Sequence, residues 1–352
     1  MIAPWCQAEI TSVCQAGCLD CNRQRPHQGY ESFWTNPHQS TEWQLNRHLA
    51  DSRSMYPVAD WHSHIAQWPH LRHLQFCGNM GDPMSHPHIS DCVASVLEHH
   101  PHCHVDISTN GALGRLTEWD RLAKLNCTVT FAVDGLEDTN HIYRRGVDWH
   151  RVRERMTRFI EQGGTAWWQW VEFPWNTHQI DRARALAESW GFESFDVSQR
   201  FTPTQQFDNE IVRVHTEPVS TRHHQPQQFT DDQLRLNHHE RVNQLRSHTV
   251  DPGCVNYDAH SKYHHPMPHI NVDGTVWPCC YMATVPFHSA QHEQWWYQQS
   301  VADVGVTWNS LYHHTLEEIV TSDWWQKILP QSWHAQDHTG SSICRQHCGR
   351  CL

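Results

Sequence analysis

The 352-residue chain carries 26 Lys and Arg against 38 Asp and Glu, a net charge of −12, together with 14 Cys, 19 Trp and 33 His. That length suits one large domain, or a large one with a small one, and the tryptophans bury enough surface to exclude wholesale disorder. No stretch approaches the ~20 apolar residues of a membrane span, residues Met1 to Ile10 hold no basic-then-apolar leader, and an acidic chain with dispersed Arg argues against nucleic acid, so a soluble cytoplasmic protein is expected.

Along the chain, short β-type runs alternate with helical spacings. Ala8–Ile10 reads as a strand running into Cys14-x3-Cys18-x2-Cys21, and Leu71–Cys77 as a second strand ending at Gly78-Asn79-Met80-Gly81-Asp82-Pro83. His88–Glu98 has helical spacing, Val105–Ser108 is a strand closing on Thr109-Asn110-Gly111, and Leu116–Leu125 is helical again. Thr128–Val133 ends at Asp134-Gly135, and Trp149–Gln162 is helical up to Gly163-Gly164. Ala166–Phe173 is a strand, Ile180–Trp190 a helix closed by Gly191, and Phe195–Ser198 the sixth strand. This alternation predicts an α/β fold with a parallel sheet, whose ligands gather at the carboxyl ends of the strands; the turn motifs all fall there. Residues 201–250 lose apolar periodicity and read as a linker with one helix over Asp231–Leu245. Met267–Trp277 alternates around Asp273-Gly274, a hairpin signal, and runs into Cys279-Cys280. Leu316–Leu329 is helical, and a Gln/His/Ser-rich tail delivers Cys344-x3-Cys348-x2-Cys351.

A disulfide scaffold belongs to short secreted chains, so cysteines clustered this way point to metal. Cys14, Cys18 and Cys21 can hold three corners of a 4Fe-4S cube and leave one iron without a protein ligand; zinc is the alternative for such a triplet. Cys6, Cys77, Cys92, Cys103 and Cys127 are scattered through apolar segments, as buried thiols are.

These landmarks, in this order, resemble the radical S-adenosylmethionine (radical SAM) enzymes, in particular those with a C-terminal twitch or SPASM-type auxiliary-cluster domain. The resemblance rests on the first Cys triplet, a Gly-Gly-Glu-Pro-like turn at Met80-Gly81-Asp82-Pro83, Ser108-Thr109-Asn110-Gly111, and Asp134-Gly135 with His141 and Tyr143-Arg144. Gly274-x4-Cys279 and the terminal Cys348-x2-Cys351 complete it. It implies a partial (β/α)6 TIM-like barrel over residues 1–205, a linker over 206–250, and a small α+β auxiliary domain with a β-hairpin over 251–352. The implied cofactors are two 4Fe-4S clusters and S-adenosylmethionine. Cys14, Cys18 and Cys21 would hold the catalytic cluster. Cys254, Cys279, Cys348 and Cys351 would hold the auxiliary one, with Cys280 and Cys344 as substitutes.

The resemblance assigns S-adenosylmethionine to Gly81, Asp82, Ser108, Asn110 and Arg144, with Arg145 as the neighbour that could replace Arg144. Met80 and Asp82 depart from the family's Gly and Glu, and Asp20 stands where an aromatic residue usually packs on adenine. Asn176, after the fifth strand, stands where some members of the family contact the adenosine, but with Gln179 three residues on it reads rather as a helix N-cap. The implied reaction is reductive cleavage of S-adenosylmethionine to a 5′-deoxyadenosyl radical that abstracts hydrogen from a peptide or small-molecule substrate. An external donor such as flavodoxin or ferredoxin would supply the electron. The competing reading is a non-catalytic iron-sulfur or zinc scaffold with degenerate motifs.

Overall fold

The computed structural model describes residues 2–18, 55–199, 248–250, 267–285, 291–334 and 341–351; the helix expected over Asp231–Leu245 lies outside them, as do Cys21 and Cys254. Strand β1 (Trp5–Ala8) is followed by helix α1 (Val58–Ile65). Four strand–helix pairs come next: β2 (His73–Phe76) and α2 (Ile89–His99), β3 (His104–Thr109) and α3 (Leu116–Leu122), β4 (Cys127–Ala132) and α4 (Trp149–Glu161), β5 (Thr165–Glu172) and α5 (Ile180–Trp190). After β6 (Ser194–Gln199) come β7 (His248–Val250), β8 (His269–Ile270), β9 (Val276–Trp277) and a one-turn helix at Cys280–Ala283. Helices α6 (Gln291–Ser300), α7 (Leu316–Thr321), α8 (Leu329–His334) and α9 (Ser342–Cys348), then β10 (Gly349–Cys351), finish the chain.

The main sheet has eight strands in the order β6-β5-β4-β3-β2-β1-β8-β9 and is open at both ends. Strands β1 to β6 are mutually parallel, as the alternation predicts. One face is buried under the helices: Leu74, Phe76, Val105, Ile107, Phe131 and Trp168 lie on it. Trp119 of α3 stacks on Phe131 with centroids 5.4 Å apart, and Trp190 of α5 on Trp168 at 5.9 Å. The opposite face holds Gln7, Gln75, Asp106 and Thr128, level with one another through the strand registers, and further along the strands Thr130, Gln169 and Asp196. A parallel sheet covered on both faces would be apolar throughout, so this polar face marks the lumen of a partial barrel. Gln7 and Gln75 join across it, Nε2 donating to Oε1 at 2.9 Å.

Four sequence expectations change. Strand β1 starts three residues earlier than Ala8, because the alternation Trp5-Cys6-Gln7-Ala8 buries Cys6 and Ala8 while Glu9 turns to serve the next loop. The helix expected over Leu316–Leu329 stops at Thr321 and resumes after a five-residue π-turn, Trp324–Ile328, which buries Trp324 and Trp325. Helix α1, unmarked in the sequence reading, presents Trp61 and Ile65 inward and takes Pro57 as its leading residue. Finally, the C-terminal hairpin is no separate sheet. β8 runs parallel to β1, with Gln7 N–H donating to Pro268 O and Glu9 N–H to Ile270 O, both at 2.8 Å.

The hairpin tip is seated by shape. Gly274 has φ +77, and a Cβ there would lie 2.7 Å from the Tyr312 ring and 3.3 Å from the Tyr56 hydroxyl. Tyr56 is fully buried and fixed by a 2.6 Å hydrogen bond to His64 Nδ1. Any side chain at Gly274 would strain its backbone and displace Tyr312.

His269, at the start of β8, is wholly buried, and burial pulls its pKa down from 6.5 to about 4 against a weaker pull from Asn271. The unfolded chain therefore binds a proton that the folded chain refuses between these values. Stability should be full above about pH 6.5 and fall as pH drops toward 4, by about 3 kcal/mol from this group. Chemical denaturation at pH 7 and pH 5 should show a smaller loss for His269→Gln than for the parent; equal losses would contradict the assignment.

Candidate active site

The loops at the carboxyl ends of β1 to β5 converge, and short polar side chains join them. Glu9, just past β1 and buried, accepts the backbone N–H groups of Met80 at 2.5 Å and Gly81 at 2.7 Å through Oε1. This brings the loop after β2 against β1 so closely that a Cβ on Gly81 would sit 1.9 Å from the Thr11 carbonyl oxygen. The residue must be glycine. Asp82 N–H then donates to Val13 O at 2.8 Å, and Ser85 Oγ donates to the same carbonyl at 2.7 Å.

Asp82 is buried and its carboxylate is used within the protein. Oδ1 accepts from Met84 N–H at 3.0 Å, capping the turn Pro83–Ser85, and from Thr109 Oγ1 at 2.7 Å; Oδ2 accepts Asn110 N–H at 2.8 Å. Burial pushes its pKa up, opposed by the donors at Asn110, Thr109 and Met84 and by the Arg144 charge. The side chain thus bolts the loop after β2 to the loop after β3 rather than projecting toward a ligand.

Asn110 is 4% exposed and sits against the cysteine loop. Its Oδ1 accepts from Gln15 Nε2 at 2.9 Å and from Ala112 N–H at 3.0 Å, and its Nδ2 donates to Cys14 Sγ at 3.7 Å. Cys18 is buried, and Gly17 N–H donates to the Arg145 carbonyl at 2.7 Å, joining the cysteine loop to the segment after β4. Ser108 is half-buried on the lumen face of β3.

Arg144 faces the same place. Nε donates to Asp134 Oδ2 at 2.8 Å, and the guanidinium lies 5.6 Å from the centre of the Tyr143 ring. Burial favours its neutral form, but the charges of Asp134, Cys18 and Tyr143 outweigh that and keep it firmly cationic. Asp134, fully buried, also accepts Val171 N–H at 2.9 Å, so the cation is fixed to β5 as well as β4. Arg145 contributes its backbone carbonyl, and Arg144 is the residue of the pair whose side chain is electrostatically coupled to Cys18.

Asn176 departs from the expected cap. Its side chain makes no cap bond; Oδ1 accepts Phe173 N–H at 2.8 Å, while Nδ2 donates to Asp134 O at 2.8 Å and Val171 O at 2.9 Å. It closes the turn after β5 onto the turn after β4. Glu9, Gln15 and Thr109 were not singled out from sequence; the only signal was a carboxylate, an amide and a hydroxyl at strand ends, which many surface turns share.

A second group of thiols lies beside the hairpin. Cys279 Sγ accepts Met282 N–H at 3.5 Å at the start of the one-turn helix, and Cys344 Sγ of α9 lies 3.9 Å from Met282 Sδ. Burial raises the Cys279 thiol, with further contributions from Cys344, Cys280 and Cys348. Cys280 also reaches the barrel: its carbonyl accepts Asn79 Nδ2 at 3.2 Å, and the thiol of Cys77, half-buried rather than buried as expected, is pushed up by desolvation, then by Glu9 and Cys280. Cys351 belongs to β10, opposite His248 of β7. Cys92, Cys103 and Cys127 are the buried thiols expected; burial pushes the latter two up to about 12. Among the described residues no three His, Cys, Asp or Glu side chains converge closely enough to hold a metal ion, with Cys21 and Cys254 outside that set.

No protein-family model matches the chain, and no curated protein does. Solved structures do, and what they share is the partial-barrel α/β fold expected of radical SAM enzymes. SuiB of Streptococcus suis bound to S-adenosylmethionine is 14% identical, with TM-score 0.51 over 96% of this chain and 76% of that one. SuiB bound to its precursor peptide SuiA is 15% identical, with TM-score 0.51 over 91% of this chain; the match spans 65% of that chain, just under two thirds of its length. Native anSMEcpe with bound AdoMet and Kp18Cys peptide is 11% identical, with TM-score 0.51 over 97% of this chain and 88% of that one.

Replacing Asp82 by Ala leaves Thr109 Oγ1 and the N–H groups of Met84 and Asn110 without their acceptor. Stability by chemical denaturation should fall by roughly 3 kcal/mol, the cost of stranding several buried donors. A loss within error of zero would mean that the carboxylate does not hold the two loops together.

Proposed function

We propose that the chain is a radical SAM enzyme. The observation that carries this reading is the convergence of the Cys14–Cys18 loop, Asp82, Asn110 and Arg144 at the carboxyl ends of neighbouring parallel strands. The donor set suits a thiolate cluster: an amide N–H aims at Cys14, and the guanidinium of Arg144, fixed by Asp134, is electrostatically coupled to Cys18. Bound by Cys14, Cys18 and Cys21, a 4Fe-4S cluster would supply the electron that splits the sulfur–C5′ bond of S-adenosylmethionine, giving the radical that takes hydrogen from substrate.

The protein's own part is to orient and to exclude water. Arg144, held through Nε by Asp134, keeps the rest of its fork for the methionine carboxylate, a pairing suited to a planar guanidinium. Gly81 brings backbone close enough to receive the methionine ammonium, and Ser108 offers its hydroxyl from the lumen face. Asp82 acts one layer behind, shaping that loop. The polar lumen is the place for substrate. Peptides bound to SuiB and anSMEcpe favour a peptide as the substrate, and the polar lumen admits a small polar molecule as well.

We assign residues 1–205 to the core, 206–250 to a linker and 251–352 to an auxiliary domain. An auxiliary 4Fe-4S cluster there would take four ligands, Cys254, Cys279, Cys348 and Cys351 as the resemblance implies, with Cys280 and Cys344 as substitutes; the coupling of Cys279 to Cys344, Cys280 and Cys348 supports this reading. An external donor such as flavodoxin or ferredoxin would supply the electron to the N-terminal cluster.

Anaerobic reconstitution should load about eight irons, four per cluster, and the chain with dithionite and S-adenosylmethionine should release 5′-deoxyadenosine. Joint Cys→Ala replacement at 14, 18 and 21 should halve the iron and abolish that product. Stoichiometric zinc with no 5′-deoxyadenosine would establish the scaffold reading instead. In the same preparations Arg144→Ala should weaken S-adenosylmethionine binding by about 2–5 kcal/mol, the usual loss for one partner of a buried charged pair, with iron unchanged. The same loss from Arg145→Ala and none from Arg144→Ala would reverse the choice between neighbours.

A further inference from the structure

We propose that Asn110, which the family resemblance gives to S-adenosylmethionine, instead serves the N-terminal cluster: its amide donates an N–H···S hydrogen bond to Cys14, holding that ligand and raising the cluster's reduction potential. The inference rests on the proposed function, since it needs a cluster at Cys14. The orientation of the amide is settled by its partners. Oδ1 accepts two donors, Gln15 Nε2 at 2.9 Å and Ala112 N–H at 3.0 Å, so a flipped amide would set NH2 against both. Nδ2 is left facing Cys14 Sγ at 3.7 Å. The backbone N–H is equally committed, to Asp82 Oδ2 at 2.8 Å. An Asn110 side chain turned toward a ribose or carboxylate would have to abandon the Gln15 and Ala112 contacts inside a pocket that leaves it 4% exposed.

The consequence follows from charge. A thiolate sulfur on iron accepts a hydrogen bond better than a thiol does, and better still once the cluster has taken an electron, because the sulfur then carries more negative charge. The donor therefore stabilises the reduced state more than the oxidised one. Gln15 is a positioning residue in this arrangement: its Nε2 orients Asn110, while its Oε1 lies 3.9 Å from Cys14 Sγ, a contact whose loss would favour the reduced cluster and so oppose the effect through Asn110. The chain Asp82–Asn110–Cys14 also makes the loop after β2 part of the cluster's support.

The test uses the full chain, reconstituted anaerobically, with the N-terminal cluster followed by electron paramagnetic resonance in a redox titration and recognised by its response to added S-adenosylmethionine. In Asn110→Ala the ratio of reduced to oxidised cluster at a fixed poised potential should fall severalfold, a fraction of the more than ~10-fold that a whole hydrogen bond to a charged group is worth, because the oxidised state accepts the bond too. Gln15→Leu, which keeps Asn110 but removes its orienting donor, should shift the same ratio in the same direction by less. Affinity for S-adenosylmethionine, measured on the oxidised protein, should change less than twofold in both. Should Asn110→Ala fail to take up iron, the Gln15→Leu shift decides alone. An unchanged ratio in the loaded variants overturns the inference, and a tenfold loss of S-adenosylmethionine affinity with it returns Asn110 to the ligand. A parent chain that takes up no iron overturns the proposed function, and this inference with it.

Discussion

The buried carboxylate of Asp82 is the constraint on which the site depends. An unpaired carboxylate costs too much to leave inside a protein, so its acceptor positions must be filled by nearby donors. Here the donors come from two different loops: Met84 on its own turn, and Thr109 with Asn110 beyond β3. Satisfying one side chain therefore fixes the relative position of two strand ends. Glu9 does the same one strand earlier, using Oε1 to gather the N–H groups of Met80 and Gly81. The described parts of these loops hold only short turns such as Pro83–Ser85, and these two carboxylates tie them together.

Much of the barrel was legible because its signals are local. Helix α5 occupies the residues its spacing predicts, since Ile180, Ala183 and Ala187 share one face and Gly191 adopts the left-handed conformation that ends it. Strands β3, β4 and β5 differ from expectation by a residue at their ends, where pairing with a neighbour rather than composition sets the limit. Strand β1 was misplaced because Ala8-Glu9-Ile10 looks apolar enough for a strand, yet Glu9 lies beyond the pairing with β2 and faces inward for its hydrogen bonds. The hairpin was visible in Asp273-Gly274. Its attachment to β1 was not, because a two-residue strand carries no record of its partner.

The site residues divide along the same line. Residue types and spacing located the loops correctly, but not the direction in which each side chain faces. Asp82 and Asn176 were both read as pointing forward, to a ligand and to a following helix, and both bind backward into the protein. Acceptors and donors of this size satisfy either arrangement equally well, so only burial decides. Arg144 is the contrasting case: its length and planarity leave part of the fork available after Nε has been taken by Asp134.

The parallel pairing of β8 with β1 has a consequence for the two groups of cysteines. Cys14 and Cys18 follow β1, and Cys279 and Cys280 follow β9, which is paired to β8. Both groups therefore follow strands of one sheet, β1 and β9, with β8 alone between them. The Asn79–Cys280 contact adds a second tie, from the same loop that Glu9 and Asp82 hold in place. The seating of Gly274 between Tyr56 and Tyr312 adds a third. Strand pairing and tight packing resist displacement, so the sheet holds the two thiol-bearing segments in place relative to one another. A substrate in the polar lumen would meet both from fixed positions, whatever the linker does.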